Sequence, residues 1–300
     1  MVPKKIQFFG TSFGSASRTE PKPKPTVFFG ASLWLILSYV HLYEYKASVK
    51  YDFNLSKIES LSFVTGENLF FEDSNFLRFS YISYIDLIEL TNLKKLTIFN
   101  HSMKNFNNLL SSSLEVLDLD RNKIEKINEN TFIKTPNLTQ LHLNVNELNY
   151  FTKKSFNGLR NLKVLDLSSN RITKLDNGIF SELIRISELN LSENYLKDFH
   201  EFDFDGLRKL NILNLSQQFD LTRFIHKYTF KNLENLNELN LKDNSLEMFD
   251  FEFPKSLKSL NLESSYLVGI EPNQFNTRCL SNLEELNLSS NSMIDVYFKN

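Results

Sequence analysis

Apolar and polar positions alternate along this chain in a frame that keeps returning. Residues 114–124 read Leu-Glu-Val-Leu-Asp-Leu-Asp-Arg-Asn-Lys-Ile, and the same arrangement recurs over 138–148, 162–172 and 186–196. Looser copies begin at Leu210, Leu236, Leu257 and Leu283; residues 93–98 fit the frame, and 58–63 fit it weakly. The Leu-x-Leu alternation predicts a half-buried strand in each copy. Such strands are too short to stand alone, so the copies are expected to stack as one parallel sheet with neighbours about 4.8 Å apart. The leucines then point into the core, and the x positions line the open face.

Two further columns follow from the period. Asn122, Asn146, Asn170, Asn194, Asn244 and Asn291 hold the ninth position of their copies. An inward amide offers donors and an acceptor to turn backbone that would otherwise stay unpaired. These asparagines therefore predict a structural ladder, not an active site. The 28 phenylalanines find a place in the same way. Phe132, Phe156, Phe180, Phe204, Phe230 and Phe275 each sit near the end of a copy and are expected to stack as a spine inside the core. Ile124 with Ile127, Ile172 with Leu175, Leu196 with Phe199 and Leu246 with Phe249 fill the turn between.

The arrangement resembles the leucine-rich-repeat family, in its class of roughly 24 residues per copy, over about residues 55–300. The resemblance implies an α/β horseshoe solenoid: a parallel sheet on the concave face and an irregular, short 3-10 or helical convex side. Copies of this length with a terminal Phe are similar to those of secreted and cell-surface members, such as Toll-like ectodomains, insect adhesion proteins and leucine-rich immune proteins. That implies non-catalytic recognition of a protein ligand, with homo- or heterodimers as a further expectation. Such members usually carry cysteine-rich caps, and this chain has none. Solenoids avoid exposing an uncapped apolar end, and the copy begun at Leu283 stops at Asn300. The sequence therefore reads as a fragment, and membrane attachment is expected only through a segment beyond it.

Three regions follow. In residues 1–47, Lys4, Lys5, Arg18, Lys22 and Lys24 precede an uncharged apolar run over 27–40, the layout of a secretory signal peptide. His41 and Glu44 end that run before the roughly 20 residues a membrane span needs. The alternative is an apolar helix of a cytosolic protein. Residues 48–92 hold degenerate copies that would serve as an improvised cap, and 93–300 hold the repeats. The lone Cys279 excludes an internal disulfide; it reads as a buried thiol or as an intermolecular bridge.

Charge and motif chemistry narrow the function. A net charge of −2 and a pI near 6.3 give no basic field, so no nucleic-acid partner is expected. His41, His101, His142, His200 and His226 share no metal-ligand spacing. There is no glycine-rich phosphate loop and no nucleophile elbow, so no cofactor, metal or catalytic residue is expected. The acidic stretch 200–205, His-Glu-Phe-Asp-Phe-Asp, reads as rings turned inward and carboxylates in water.

What remains is the open face of the sheet. One column of x positions runs Asp118, His142, Asp166, Asn190, Asn214, Asn240, Asn261, Asn287. The candidate ligand-binding residues are Asp118, Asp120, Arg121, His142, Asn144, Asp166, Glu188 and Glu193, weighed against ordinary consensus filling of a strand. Irregular spacing after Leu210, including an insertion at 277–280, marks either a binding loop or drift. Asn54, Asn100, Asn137, Asn190, Asn214 and Asn287 lie in Asn-x-Ser/Thr sequons and are candidate glycosylation sites. Asn190 and Asn214 fall on adjacent strands, so at most one is expected to carry a sugar, and ligand contact is expected on the strands of 114–170. The functional classes are an extracellular recognition module (receptor, adhesion or innate-immune), an intracellular scaffold or regulatory subunit, and an enzyme inhibitor using the concave face.

Overall fold

The computed structural model describes residues 4–9, 58–64, 91–100, 103–106, 109–219, 224–246, 252–267, 269–270, 281–292 and 295–296. The strands in chain order are β1 (Lys4–Phe9), β2 (Ile58–Val64), β3 (Lys95–Phe99), β4 (Val116–Asp118), β5 (Lys126–Ile127), β6 (Gln140–His142), β7 (Tyr150–Phe151), β8 (Val164–Asp166), β9 (Glu188–Asn190), β10 (Asp198–Phe199), β11 (Ile212–Asn214), β12 (Phe224–Ile225), β13 (Glu238–Asn240), β14 (Ser259–Asn261), β15 (Gly269–Ile270), β16 (Glu285–Asn287) and β17 (Asp295–Val296). Eleven of them form one parallel sheet in the order β1-β2-β3-β4-β6-β8-β9-β11-β13-β14-β16. Each copy of the sequence frame contributes one strand, and its central leucine pairs with the central leucine of the next copy, as Leu141 does with Leu117 and Leu165. The horseshoe solenoid implied by the repeat is the fold.

The core is a continuous stack. The first, fourth and sixth positions of successive copies, for example Leu138, Leu141 and Leu143, are fully buried. Phe106, Phe132, Phe156, Phe180, Phe204 and Phe230 are buried behind them. Phe106 meets Phe132 at 5.6 Å between ring centroids, Phe156 meets Phe180 at 5.9 Å and Phe204 stacks on Phe230 at 6.0 Å. After Phe132, Phe156, Phe180, Phe204 and Phe230 the chain turns within three residues, through bonds such as Leu159 N to Phe156 O and Leu183 N to Phe180 O. Turns this tight leave no room for helical propagation, and no helix occurs among the described residues. The convex side is irregular, with two-residue strands pairing β5 with β7, β10 with β12 and β15 with β17.

Two sets of asparagines tie coil to coil. In the buried set, Asn170 donates from Nδ2 to Leu143 O of the preceding coil at 2.9 Å and to Leu167 O of its own at 3.0 Å, while its Oδ1 accepts from Leu148 N. Asn122, Asn146, Asn194, Asn244 and Asn291 donate across coils in the same way. Gln218 and Ser265 stand in for asparagine in two copies. The residue before the ladder position is left-handed throughout, with φ between 51° and 58° at Arg121, Val145, Ser169, Glu193, Gln217, Asp243, Ser264 and Ser290. That turn aims the amide inward.

The second set lies at the start of the copies, just before the first leucine. Asn137, Asn161, Asn235 and Asn282 donate Nδ2 to the carbonyls of Ser112, Pro136, Arg208 and Lys255 at 2.6–2.8 Å.

The stretch 200–205 departs from its sequence reading. Phe204 is buried, but Phe202 is exposed and Asp203 lies inside the solenoid. Asp203 is drawn in because its Oδ2 accepts the His200 N–H at 2.7 Å and so closes the turn. The apolar run 27–40, Asn54, His41, His101, Phe249, Phe275, Cys279 and the insertion at 277–280 lie outside the described residues.

Candidate functional site

The concave column is in register. Asp118 pairs with His142, His142 with Asp166, Asp166 with Asn190, Asn190 with Asn214, Asn214 with Asn240, Asn240 with Asn261 and Asn261 with Asn287. Most members also hold their own coil in shape. Asp166 Oδ1 accepts Ser168 N at 2.9 Å and Ser168 Oγ at 2.6 Å; Asn190, Asn214 and Asn287 accept from Ser192, Ser216 and Ser289 in the same manner. Asp118, Asn240 and Asn261 accept the backbone N–H two residues on. These are Asx turns, so local geometry accounts for Asp or Asn in this column without any ligand.

The candidate residues fall into three groups. Asp118, Asp120, His142, Asn144 and Asp166 come together over three adjacent coils. Asp120 is the strained member: it accepts Asn144 N at 2.7 Å, yet its pKa is pushed up to about 7. Burial is the main cause and the charge of Asp118 the next; the Asn144 N–H opposes them, Asp166 adds to them and Arg121 partly offsets them. Glu188 lies exposed at the start of β9, between Val164 and Ile212. Arg121 and Glu193 sit on the left-handed turns at the edge of the sheet. The Arg121 guanidinium lies 5.8 Å from the Phe99 ring centroid, and Glu193 accepts Ser169 Oγ at 2.9 Å. Of the sequon residues, Asn100 and Asn137 lie on turns outside the column, while Asn190, Asn214 and Asn287 lie within it.

Sequence reasoning missed an aromatic pair on the same edge. Tyr195 and Phe219 each follow a ladder residue in consecutive coils, and their rings meet at 5.1 Å. They are 41% and 65% exposed, and Tyr266, in the same position of a later coil, is 71% exposed. Arg171 occupies this row one coil before Tyr195 and pairs with Glu147 at 3.0 Å. The signal was in the sequence as an aromatic directly after the ladder position. The surplus of phenylalanine in the core masked it.

The family described as "Leucine rich repeat" matches residues 112–172 and 160–218, and the one described as "BspA type Leucine rich repeat region (6 copies)" matches residues 200–299. The chain is a leucine-rich-repeat protein. Among solved structures, this leucine-rich-repeat chain is similar to TLR13 in its complex with ssRNA13, at 27% identity and a TM-score of 0.64 over 80% of this chain and 33% of that one. It is similar to mouse RP105 in its complex with MD-1, at 26% identity and a TM-score of 0.59 over 68% of this chain and 35% of that one. The Drosophila Toll–Spatzle complex shares the fold at 22% identity and a TM-score of 0.60, over 69% of this chain and 31% of that one. The chain spans about a third of the length of these proteins. No curated protein matches it. One neighbour holds single-stranded RNA, so the expectation of no nucleic-acid partner rests on this chain's own charge and not on its architecture. No helix among the described residues is long and apolar enough to cross a membrane.

Proposed function

We propose that this leucine-rich-repeat chain is a non-catalytic, extracellular recognition module of receptor, adhesion or innate-immune type, and that it binds a protein partner across the concave sheet and its aromatic edge. The observation that carries the reading is the Tyr195–Phe219 pair. Large rings held in contact and left in water are the usual centres of protein interfaces, and neither ring is needed to fill the core. On the coils before and around them lie Asp118, Asp166, Glu188 and Glu193, an acidic ground that favours a partner carrying basic groups around an apolar contact. Relatives of the same architecture in complex with protein partners support this reading, as does the sequence layout of residues 1–47. An intracellular scaffold and an enzyme inhibitor are the second and third readings; the single cysteine favours the scaffold, while the Phe-terminated period and the apolar run favour the extracellular module.

Two measurements test it. Protein expressed with residues 1–47 in insect cells should appear in the medium and shift on a gel after glycosidase treatment; retention inside the cell without a shift would favour the scaffold. The wild-type chain and a Tyr195→Ala/Phe219→Ala variant, each immobilised, should then be offered the same mixture of extracellular proteins. A partner kept by the first and lost by the second supports the reading. A partner set that the double substitution leaves unchanged removes the aromatic edge from the binding surface.

A further inference from the structure

The convex side has a tether of its own. Four residues beyond the two-residue strands, successive coils place Thr131, Ser155, Ile179, Asp203 and Thr229, all of them buried. Ser155 accepts Thr152 N at 3.0 Å and donates its hydroxyl to Ile127 O of the preceding coil at 2.7 Å. Thr229 donates to Phe199 O of the preceding coil at 3.3 Å. These are the junctions at which β5 pairs with β7 and β10 pairs with β12. By the same offset, Ile179 would reach Phe151 O and Asp203 would reach Leu175 O. Isoleucine has no donor, and an ionised carboxylate only accepts.

At those two junctions the pairing lapses. Lys174 and Leu175 lie 24 residues after β7 and 24 before β10, yet they belong to no strand. A cavity of about 430 Å³ opens at this point, lined by Lys153, Lys174, Leu175, Asp176, Asp198 and His200 among others. Asp203 is only 1% exposed. Its Oδ2 takes the place of the Ser155 oxygen by accepting His200 N, and its Oδ1 has no partner.

We propose that Asp203 is a proton-operated latch for this turn. Ionised, it leaves the Leu175 carbonyl untethered and the cavity open. Protonated from solvent at Oδ1, it donates to Leu175 O as Ser155 donates to Ile127 O, and draws Lys174 and Leu175 into register with β10. No other bond is made or broken. Burial favours the neutral carboxyl and raises its pKa, against the His200 N–H bond and the charge of His200, so the latch closes above the ordinary carboxylate range. The other ionisable groups around it are Asp198, Glu201 and Asp205 on its own turn, Lys174 and Asp176 on the preceding turn with Lys153 one coil further back, and His226, Lys227 and Tyr228 on the following turn. Lys174 is engaged with Asp176 at 3.4 Å.

Backbone amide exchange of the whole chain tests this, followed over residues 173–176 and 197–200 at about pH 7.5 and at pH 3.8, the ordinary value above which this carboxyl is raised. Rates are corrected for intrinsic exchange, and residues 126–127 serve as the reference. Closure predicts roughly tenfold slower exchange at the lower pH, the factor that one hydrogen bond of ordinary net strength sets. Asp203→Asn carries an amide donor at every pH and Asp203→Thr restores the hydroxyl, so both should be protected at both pH values. Wild-type exchange that changes no more than the reference overturns the latch, whether or not the variants fold. So do folded variants that stay as open as the wild type at neutral pH.

Discussion

Asp120 accepts a 2.7 Å hydrogen bond from the backbone N–H of Asn144, one coil further on, although burial and the neighbouring Asp118 hold its carboxyl up at about 7. The bond and the charge conflict: the amide wants an acceptor, and the site does not want an anion. Between an unfolded value near 3.8 and a folded value of about 7, the folded chain keeps a proton that the unfolded chain has released. Stability from this group therefore rises as pH falls through 7 and is complete below the unfolded value. Asp120→Asn keeps the acceptor for Asn144 and removes the charge. It should be more stable than the wild type at pH 8, by about 1 kcal/mol once solvent screening at a partly exposed site is allowed for. The two proteins should converge near pH 4. Thermal melting across that range checks this, and parallel curves for the two proteins would remove Asp120 as the source of the slope.

The buried ladder makes a second prediction, graded along the solenoid. Asn170→Ala strands the carbonyls of Leu143 and Leu167 and the amide of Leu148 inside the core. A loss of about 3 kcal/mol is expected for several buried groups left unpaired. Asn291 makes the same bonds to Leu262 O and Leu288 O, but in a coil that water partly reaches. Water can replace the amide there, so Asn291→Ala should cost about 1 kcal/mol. Denaturant titration of the two variants reads the difference, and equal losses would contradict a ladder whose strength depends on burial.

Much of this scaffold was legible because it rests on period. Leucine spacing marked the strands, the ninth-position asparagines marked the buried ladder and the terminal phenylalanines marked the spine. Features without a compositional signature were not legible. The left-handed turn position is filled by Arg121, Val145, Ser169 and Glu193 alike, because its backbone is imposed by the ladder residue that follows. Asn137 reads as a sequon residue and Asn161 draws no reading, and only their bonds to the preceding coil reveal a second ladder. Asp203 reads as a solvated charge because acid-Phe alternation suggests a two-residue period, whereas the segment is a turn that buries Asp203 and Phe204 side by side. In the candidate site, the column could be traced, but whether Asp166 or Asn190 faced a ligand or capped its own turn depended on hydrogen bonds to Ser168 and Ser192 that spacing alone does not report.

Val145 carries the clearest local strain. Its φ of 52° puts a β-branched residue in the left-handed region, where Cβ crowds the backbone carbonyl at a cost of about 1–2 kcal/mol. The side chain is 41% exposed, so little packing repays that cost. Val145→Asn relieves the strain, because asparagine tolerates this conformation, and should raise stability by about 1 kcal/mol. A melting temperature unchanged or lowered by the substitution would mean that the Val145 methyl groups contribute contacts that outweigh the backbone.

The last prediction concerns Asn190 and Asn214, which face each other across β9 and β11 in direct register. Each holds its own serine hydroxyl at 2.8 Å through Oδ1, so both side chains are fixed in the same orientation on neighbouring strands about 4.8 Å apart. A sugar is wider than that spacing. A chain modified at both sites could not stack these coils, and the exported, folded population should contain at most one of the two glycans per molecule. Removing one acceptor should then favour the other: Asn214→Gln is expected to raise occupancy at Asn190, while Asn137, on a turn outside the column, should be indifferent to the change. Intact-mass and peptide mapping of protein secreted from insect cells would decide the matter. Full occupancy of both column sites on one folded molecule would show that the sheet face accommodates what its strand spacing forbids.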